Sequence, residues 1–206
     1  MNHNLLRTIL IKINSILFTL LLRHAYQIKV GKNFKISGIP YLKIMGKSEN
    51  IIIMDNVTIL GSIDIRNREQ GKIVFKDNVT IEENCRFVSA QNATIIINKK
   101  TSIGRDAVWN CGASVEVGEN CLFGPRSGIM SSDHGTAKNK KMINQEYTHK
   151  PIKIGDDCLI GINVTILKGV NVCNGSIIAS NSVVTKDTQE FSINAGLPAK
   201  IIGNRE

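Results

Sequence analysis

The C-terminal half of the chain repeats one hydrophobic pattern every six residues. An aliphatic residue opens each unit, and a small or β-branched residue follows four places later. The opening residues are Ile154, Ile160, Ile166, Val172, Ile178 and Val184, and the residues four places on are Cys158, Val164, Val170, Ser176, Ser182 and Thr188. A period of six fits neither a lone helix, with its period of about 3.6, nor a simple hairpin strand, with its period of about 2. We interpret each unit as a short strand followed by a turn.

The same phase recurs in shorter blocks upstream. These blocks open at Val30, Ile53, Phe75, Ile97 and Val117. The phase is lost after Ile129 and regained only at Ile154. We therefore predict that a long insertion, residues 131–150, leaves the repeat and returns to it.

Strand-and-turn units of this kind build a solenoid. Three units make a triangular coil of about 18 residues, and stacked coils pair their backbones about 4.8 Å apart. One aliphatic side chain per unit points inward, and all coils share one interior. We predict an all-β parallel β-helix over residues 28–190, with about seven or eight coils. The end coils need caps, for which the candidates are segments 1–27 and 191–206.

The segment Leu5–Leu22 is strongly apolar and predicts a helix. Arg7 and Lys12 interrupt it, and the uncharged run from Ile13 to Leu22 is too short to span a bilayer of about 30 Å. No small-residue cleavage site follows, so we expect no secretory signal. Two interpretations stay open for this helix. The favoured one is packing on its own domain or on a sister subunit, and the other is peripheral association with the inner membrane.

Composition narrows the function classes. The 206 residues are 42% hydrophobic, 21% charged and only 5% aromatic, and their net charge of +9 points to a polyanionic partner. No helix-turn-helix, zinc finger or RNA-binding motif accompanies that charge, so we expect no nucleic acid partner. The five cysteines form no C-x-x-C pair, which argues against a disulfide framework or a zinc site. Cys85, Cys121 and Cys158 fall on inner positions of the repeat, as expected for reduced packing residues of a cytoplasmic protein.

The six-residue repeat resembles that of the hexapeptide-repeat acyltransferases, over about residues 53–202. The closing run from Asn194 to Ile202, NAGLPAKII, also resembles the C-terminal signature of that family. Within the family the chain is most similar to bacterial sugar O-acetyltransferases. The resemblance implies a left-handed β-helix, acetyl-CoA as the donor, no metal, and a homotrimer with its sites between subunits. The implied acceptor is a saccharide of a bacterial surface polysaccharide or its precursor, either anionic or lipid-linked.

A single histidine carries the expected chemistry. The run from Val117 to His134 is similar, without gaps, to the run that leads to the catalytic His of the galactoside acetyltransferases. Transfer of an acetyl group to a hydroxyl needs a base for the hydroxyl proton, and a neutral imidazole suits that task. Glu146 stands where the family has a carboxylate that pairs with this His, which would orient the ring. Asp133 is a weaker candidate for the same role and is also a candidate acceptor-binding residue, and we expect His149 to be a loop or rim residue.

The resemblance also places the acceptor and the coenzyme. Asn110 matches an Asn that contacts the acceptor sugar, and an amide can both donate to and accept from a hydroxyl. Trp109 is a candidate stacking platform for the sugar, although the repeat phase favours core packing for it. The matching coenzyme positions are Gly161, Ile162, Ser180, Thr185, Lys186 and Lys200. A backbone amide at Gly161 or Ile162 would receive the thioester oxyanion.

Some positions depart from the family pattern. Leu159 replaces a frequent Trp that lines the site, and Gly203 replaces an Arg of some members, for which nearby Arg205 is a substitute. We interpret the basic run Lys138–Lys141 first as a solvated loop, and the alternative is a site that meets an anionic glycan or the phosphates of a lipid-linked sugar.

Three alternatives remain open. The first is an amino-sugar N-acetyltransferase, in which the same His would serve. The others are a γ-carbonic-anhydrase-like zinc hydratase, for which four histidines in all are few, and an inactive binding scaffold.

Overall fold

The computed structural model describes residues 3–206, with side chains from Leu5 onwards. A helix, α1 (His3–Leu20), continues into one π-helical turn at Leu21–Ala25, and short strands follow over the rest of the described chain. In chain order the strands are β1 (Lys29–Val30), β2 (Lys35–Ile36), β3 (Pro40–Ile44), β4 (Ile51–Ile53), β5 (Thr58–Leu60), β6 (Ile63–Asn67), β7 (Lys72–Phe75), β8 (Thr80–Glu82), β9 (Cys85–Ser89), β10 (Thr94–Ile97), β11 (Ser102–Ile103), β12 (Val108–Cys111), β13 (Val115–Val117), β14 (Leu122–Phe123), β15 (Gly128–Met130), β16 (Ser132–His134), β17 (Tyr147–His149), β18 (Ile152–Ile154), β19 (Leu159–Ile160), β20 (Thr165–Leu167), β21 (Asn171–Val172), β22 (Ile177–Ile178), β23 (Val183–Val184), β24 (Ser192–Gly196) and β25 (Ala199–Asn204).

The strands form three long sheets that are the three sides of a solenoid. Side A is ordered β1-β4-β7-β10-β13-β18-β21, side B is β2-β5-β8-β11-β14-β19-β22-β24-β25, and side C is β3-β6-β9-β12-β15-β20-β23. Neighbouring strands within the coils are parallel, as in Ile95↔Val115 on side A and Trp109↔Ile129 on side C. Side A has seven strands, one from each coil, so the solenoid has seven coils over the described residues. The predicted β-helix is therefore confirmed.

The coils of the N-terminal half are longer than three six-residue units. Ile53 pairs with Phe75 and Phe75 with Ile97, and each of these steps along the chain exceeds three units. Only beyond the insertion does a coil match three units, from Ile154 to Val172. The longer coils explain why the upstream blocks lose the strict period of six, since each adds residues at its turns.

Most of the inward positions predicted by the repeat are buried. Every aliphatic residue that opens a C-terminal unit is at most 1% exposed. The longer coils also take aromatic side chains, which form a ladder of edge-on and tilted contacts through the interior. Phe75 contacts Phe87 at 5.4 Å between ring centroids, Phe87 contacts Trp109 at 5.1 Å, and Trp109 contacts Phe123 at 5.3 Å. Four buried aromatic side chains thus form one continuous line of ring contacts in the core.

Helix α1 caps the open end of the first coil. The Asn14 side-chain amide donates to the carbonyls of Ile36 and Gly38, both at 3.0 Å, and the Ser15 hydroxyl accepts from the Ile36 amide at 3.0 Å. The helix therefore satisfies part of an edge that would otherwise be free to pair with another chain. One expectation needs correction: the helix from Leu5 to Ala25 is long and apolar enough to cross a membrane, because it extends past the uncharged run in both directions.

The other end of the solenoid is covered by a hairpin. Strand β24 adds to side B beside β22, and β25 folds back on β24 in antiparallel pairing. The assignment of residues 28–190 to the solenoid and of residues 1–27 and 191–206 to its ends stays a prediction.

Candidate active site

The insertion contains an antiparallel hairpin of β16 and β17. Ser132 pairs with His149, Asp133 with Thr148, and His134 with Tyr147. The rest of the insertion is organised by Gln145, which is 8% exposed. Its side chain accepts from the Ala137 amide at 2.6 Å and donates to the carbonyls of Ala137 and Lys140. The insertion is thus an ordered element that holds His134 at a defined place.

One side of this hairpin carries a row of side chains that starts at His134. The His134 ring lies 3.9 Å from the Tyr147 ring, and Tyr147 stacks on His149 with centroids 6.1 Å apart. The Nδ1 atom of His134 is buried and has no hydrogen-bond partner among the described residues. Nε2 is therefore the ring nitrogen left to meet a substrate.

His149 anchors the hairpin to the solenoid. The Gln91 amide donates to His149 Nε2 at 3.0 Å, so Nδ1 carries the proton and donates to Ser132 Oγ at 2.7 Å. Ser132 Oγ also accepts from the Gly112 amide at 3.1 Å. Gly112 is required here, because a Cβ atom at this position would overlap both His149 and Ser132.

The opposite side of the hairpin is held by a lysine. Lys168 forms an ion pair with Asp133 at 3.0 Å and donates to the Thr148 hydroxyl. Asp133 therefore faces away from the His134 ring, since neighbouring residues of a strand point to opposite sides. This geometry gives Asp133 a positioning contact with the next coil in place of the expected contact with His134.

Glu146 is exposed and lies next to Gly135, whose amide donates to the Glu146 carbonyl at 2.9 Å. No ion pair joins its carboxylate to His134 within the described residues. The physical reason is alternation along the strand: Tyr147 takes the place opposite His134, so Glu146 points to the other side. The structure therefore does not bring together the two residues expected to form the catalytic pair, and their pairing stays a prediction.

The acceptor residues separate into one that is accessible and one that is not. Asn110 is exposed on the outer surface of β12, and its carbonyl accepts from the Ser131 amide at 3.3 Å, directly before the hairpin. Its side-chain amide has no hydrogen bond to other described residues and is open to a ligand. Trp109 is 0% exposed and belongs to the aromatic ladder. It cannot stack on an acceptor, which corrects its assignment as an acceptor-binding residue, because odd and even positions of β12 face opposite sides of the sheet.

Three of the expected coenzyme residues meet at one corner of the solenoid. Gly161 and Ile162 follow β19, and Ser180 follows β22 in the next coil. The Gly161 amide donates to the Ile178 carbonyl at 2.8 Å, and the Ile162 amide donates to Ser180 Oγ at 3.1 Å. Neither amide is free to receive an oxyanion, which corrects that expectation: coil-to-coil pairing uses one and the serine uses the other. The Ser180 hydroxyl keeps its own proton to donate.

The basic coenzyme residues are exposed. Thr185 and Lys186 follow β23 at the adjacent corner, and Lys200 lies in β25. No carboxylate pairs with Lys186 or Lys200 in the part of the chain that the structure describes. Arg205 is already used, because it forms an ion pair with Asp157 at 2.9 Å and donates to the Gly175 carbonyl. To bind a coenzyme phosphate, as expected of a substitute ligand, Arg205 would have to give up these contacts with Asp157 and Gly175.

Four side chains of the site were missed or underrated from the sequence: Tyr147, His149, Lys168 and Gln145. The sequence carried no usable signal for them, because each strand of the hairpin, Ser132-Asp-His134 and Tyr147-Thr-His149, is only three residues long and has no apolar alternation. Among the residues from His3 onwards, no group of three or more His, Cys, Asp and Glu side chains is arranged to hold a metal ion.

Comparison with known proteins identifies the repeat. A family profile described as the hexapeptide repeat of succinyl-transferase matches residues 114–137 and 151–186. A probable acetyltransferase of Mycobacterium tuberculosis is 30% identical over 120 residues, which cover 58% of this chain and 40% of that protein. A putative lipopolysaccharide biosynthesis O-acetyl transferase of Escherichia coli, WbbJ, is 27% identical over 66% of this chain and 73% of its own length. The chain thus spans less than two thirds of the mycobacterial relative.

Solved structures share the fold. The Bacillus cereus N-acyltransferase AntD, as a mutant in complex with dTDP and coenzyme A, aligns over 90% of this chain and 88% of its own with a TM-score of 0.64 and 16% identity. The polysialic acid O-acetyltransferase OatWY aligns over 86% of this chain and 88% of its own with a TM-score of 0.55 and 23% identity. The repeat, the coil topology and these similarities show that the chain has the left-handed parallel β-helix fold built from hexapeptide repeats, and that it resembles acyltransferases with this fold.

Proposed function

We propose that the protein transfers an acetyl group from acetyl-CoA to a sugar hydroxyl of a bacterial surface polysaccharide or its precursor. The observation that carries the proposal is His134, a half-buried imidazole on an ordered hairpin that starts directly after Ser131, whose amide donates to the carbonyl of the exposed Asn110. The names of the relatives support the acceptor class, since one is a lipopolysaccharide O-acetyl transferase and another a polysialic acid O-acetyltransferase. Coenzyme A in the AntD complexes supports the donor.

The proposed reaction is a direct transfer in a ternary complex. Nε2 of His134 takes the proton of the acceptor hydroxyl as its oxygen attacks the thioester carbonyl. The carbon–sulfur bond then breaks, and the imidazolium returns the proton to the departing thiolate. Ser180, whose hydroxyl accepts from the Ile162 amide and keeps its own proton, is an available donor for the oxyanion at the coenzyme corner. The unpaired ammonium groups of Lys186 and Lys200 suit the coenzyme phosphates. The role of Glu146 rests on the family resemblance alone.

Several partners follow from the same proposal. We propose a homotrimer with sites between subunits, as the resemblance to the hexapeptide-repeat acyltransferases implies. We also propose a cytoplasmic location, where acetyl-CoA is supplied. An anionic or lipid-linked saccharide fits the basic run Lys138–Lys141, whose residues are all exposed on the insertion.

The test is acetyl transfer from labelled acetyl-CoA to the polysaccharide repeat of the host strain, with NMR of the product. His134→Ala should lower kcat at least about a hundredfold while coenzyme binding survives, because a positioned base contributes about 10²–10⁴ in rate. His24→Ala is the matched control, since His24 is exposed outside the coils. Near-normal turnover of His134→Ala would remove His134 from the mechanism.

An amino-sugar N-acetyltransferase is the second candidate function. The observation in its favour is the fold shared with AntD, an N-acyltransferase that was also solved in complex with an amino sugar nucleotide. A screen of matched hydroxyl and amino sugars separates the two, because the preferred acceptor fixes whether an ester or an amide forms.

A further inference from the structure

Helix α1 has the opposite orientation to an ordinary surface helix, because its polar side faces the protein and its apolar side faces solvent. Its polar residues face the solenoid, where Asn14 and Ser15 bond to the backbone of β2 and of the turn after it. At its end, Arg23 donates to the carbonyls of Val30 at 2.7 Å and Gly31 at 3.0 Å. These bonds hold the helix across the end of the first coil, so it cannot leave the domain to cross a bilayer without breaking them.

The apolar side of α1 faces outward as one stripe. Each residue of the stripe exposes more than a third of its surface to solvent, and these residues recur every three or four positions along the helix. They are Leu5, Leu6, Ile9, Leu10, Ile13, Ile16, Leu17, Leu20 and Leu21. Only 11% of this apolar stretch is buried inside the molecule. A continuous apolar stripe of this length on a soluble surface indicates a site that is covered in use.

The charged side chains of the N-terminal segment that contains this stripe are all positive. Up to Ser48, the chain holds eight of its 26 Lys and Arg side chains and none of its 17 Asp and Glu side chains. The eight are Arg7, Lys12, Arg23, Lys29, Lys32, Lys35, Lys43 and Lys47. They carry +8 of the net +9, and the rest of the chain is nearly neutral, with 18 basic against 17 acidic side chains. Arg7 and Lys12 lie at the two edges of the apolar stripe, from which their long side chains can reach a charged surface while the stripe is buried.

A groove along one edge of the helix repeats this combination. It encloses about 1200 Å³ between α1 and side B of the first coils, and its floor is largely apolar. Lys12, Lys32 and Lys35 line it, together with Arg23, and no acidic residue does. No carboxylate pairs with these three lysines in the described chain. The groove therefore offers unpaired ammonium groups directly beside apolar surface. An anionic lipid is complementary to it, because the lipid carries a negative headgroup phosphate beside apolar acyl chains.

We propose that the outer side of α1 docks on the surface of an anionic lipid bilayer, with the stripe in the acyl region and the lysine-lined groove against the headgroup phosphates. Charge decides between a bilayer and a second copy of the chain. A second copy seated on the stripe would bring its own eight positive charges to the same place, whereas anionic headgroups neutralise them. The proposal does not depend on the proposed enzymatic activity, because vesicle binding is measured without turnover.

The test is co-sedimentation of the full chain with phosphatidylglycerol vesicles and with phosphatidylcholine vesicles. We expect binding to phosphatidylglycerol vesicles that weakens at high salt, and little binding to phosphatidylcholine. The double variant Ile13→Asn/Leu17→Asn should lose at least about tenfold in vesicle partitioning, because it places two amides on the stripe. Ile143→Asn is the matched control, since Ile143 is 84% exposed but lies in the insertion, and it should bind as the wild type does.

Light scattering and circular dichroism complete the experiment. The double variant should keep its folded spectrum and its oligomeric mass. Vesicle binding equal to that of the wild type, or an absence of binding to phosphatidylglycerol by the wild type, would overturn the proposal. A fall in oligomeric mass in the double variant would also overturn it, since the stripe would then be an interface between copies.

Discussion

At the scale of single residues, Asp64 on the outer surface of side C is held by two arginines. Arg66 donates to it through both Nε and Nη2, at 2.8 and 2.7 Å, and Arg86 donates at 2.9 Å. Partial burial acts to raise the pKa of Asp64, but the hydrogen bonds and charges of the arginines outweigh it and hold the pKa below its usual range. A carboxylate whose folded-state pKa is depressed adds stability above its unfolded pKa of about 4 and loses it as pH falls through the folded value.

Asp64→Asn should therefore lower the free energy of unfolding by about 1 kcal/mol at pH 7. The difference between the variant and the wild type should shrink as pH falls from about 5 to 3, because protonation of the wild-type carboxyl removes the same interaction. Urea unfolding at a series of pH values measures it. A difference that stays constant across that range would show that the arginines do not stabilise the charged form.

The inward residues were predictable from the sequence because each obeys a simple rule of burial. Cys85, Cys121 and Cys158 fall on inner positions of the repeat and are all at most 2% exposed. Burial also raises the pKa of the Cys85 thiol to about 11, which suits a packing residue. Outward residues follow no such rule. The side toward which Glu146 points depends on where the strand of the insertion begins, and the sequence does not mark that residue.

At the scale of elements, the hairpin β16–β17 packs on the solenoid only because Gly112 has no side chain beneath it. The loss of phase in the sequence predicted the insertion but none of its strands, because alternation over three residues is too short to stand out. The Ser132–His149 contact sits directly above Gly112, where a Cβ atom would collide with both side chains. Position 112 therefore controls whether the hairpin can close on the coil.

Gly112→Ala should displace His149 and loosen the hairpin. We expect faster hydrogen exchange of the amides at 132–134 and 147–149, and about a tenfold loss in kcat, because His134 loses its fixed position. Gly203→Ala is the matched control, since no atom lies within 4 Å of a Cβ there. Unchanged exchange in Gly112→Ala would show that the Ser132–His149 contact does not hold the hairpin.

At the scale of the whole molecule, the coils shorten along the axis. The period of six predicted coils of three units each, and only the coils after the insertion have that length. The longer coils carry the aromatic ladder, in which Phe87 contacts Trp109 edge-on. The solenoid and its axis were predictable because every coil repeats the same inward pattern. The coil length was not, because turn residues lie outside and are free to vary in number.

The completeness of the site is also a property of the whole molecule. Within one chain, the coenzyme corner at Ile162 and the hairpin with His134 are separate elements, and the buried Nδ1 of His134 has no partner among the described residues. A site built between subunits would take its base from one copy and its coenzyme ligands from the next. Neither of two variants, one without the base and one without the coenzyme ligands, would then be active alone, but a mixed trimer would contain some sites with both halves intact.

Mixing two inactive variants tests this directly. His134→Ala supplies an intact coenzyme corner, and Lys186→Glu/Lys200→Glu supplies an intact base. After denaturation and joint refolding in equal amounts, random assembly should restore about a quarter of the wild-type transfer rate, since that share of the sites draws both intact halves. The two variants refolded separately and then combined are the control and should stay inactive. If tagged subunits are shown to have mixed and no activity returns, the base and the coenzyme ligands belong to the same copy.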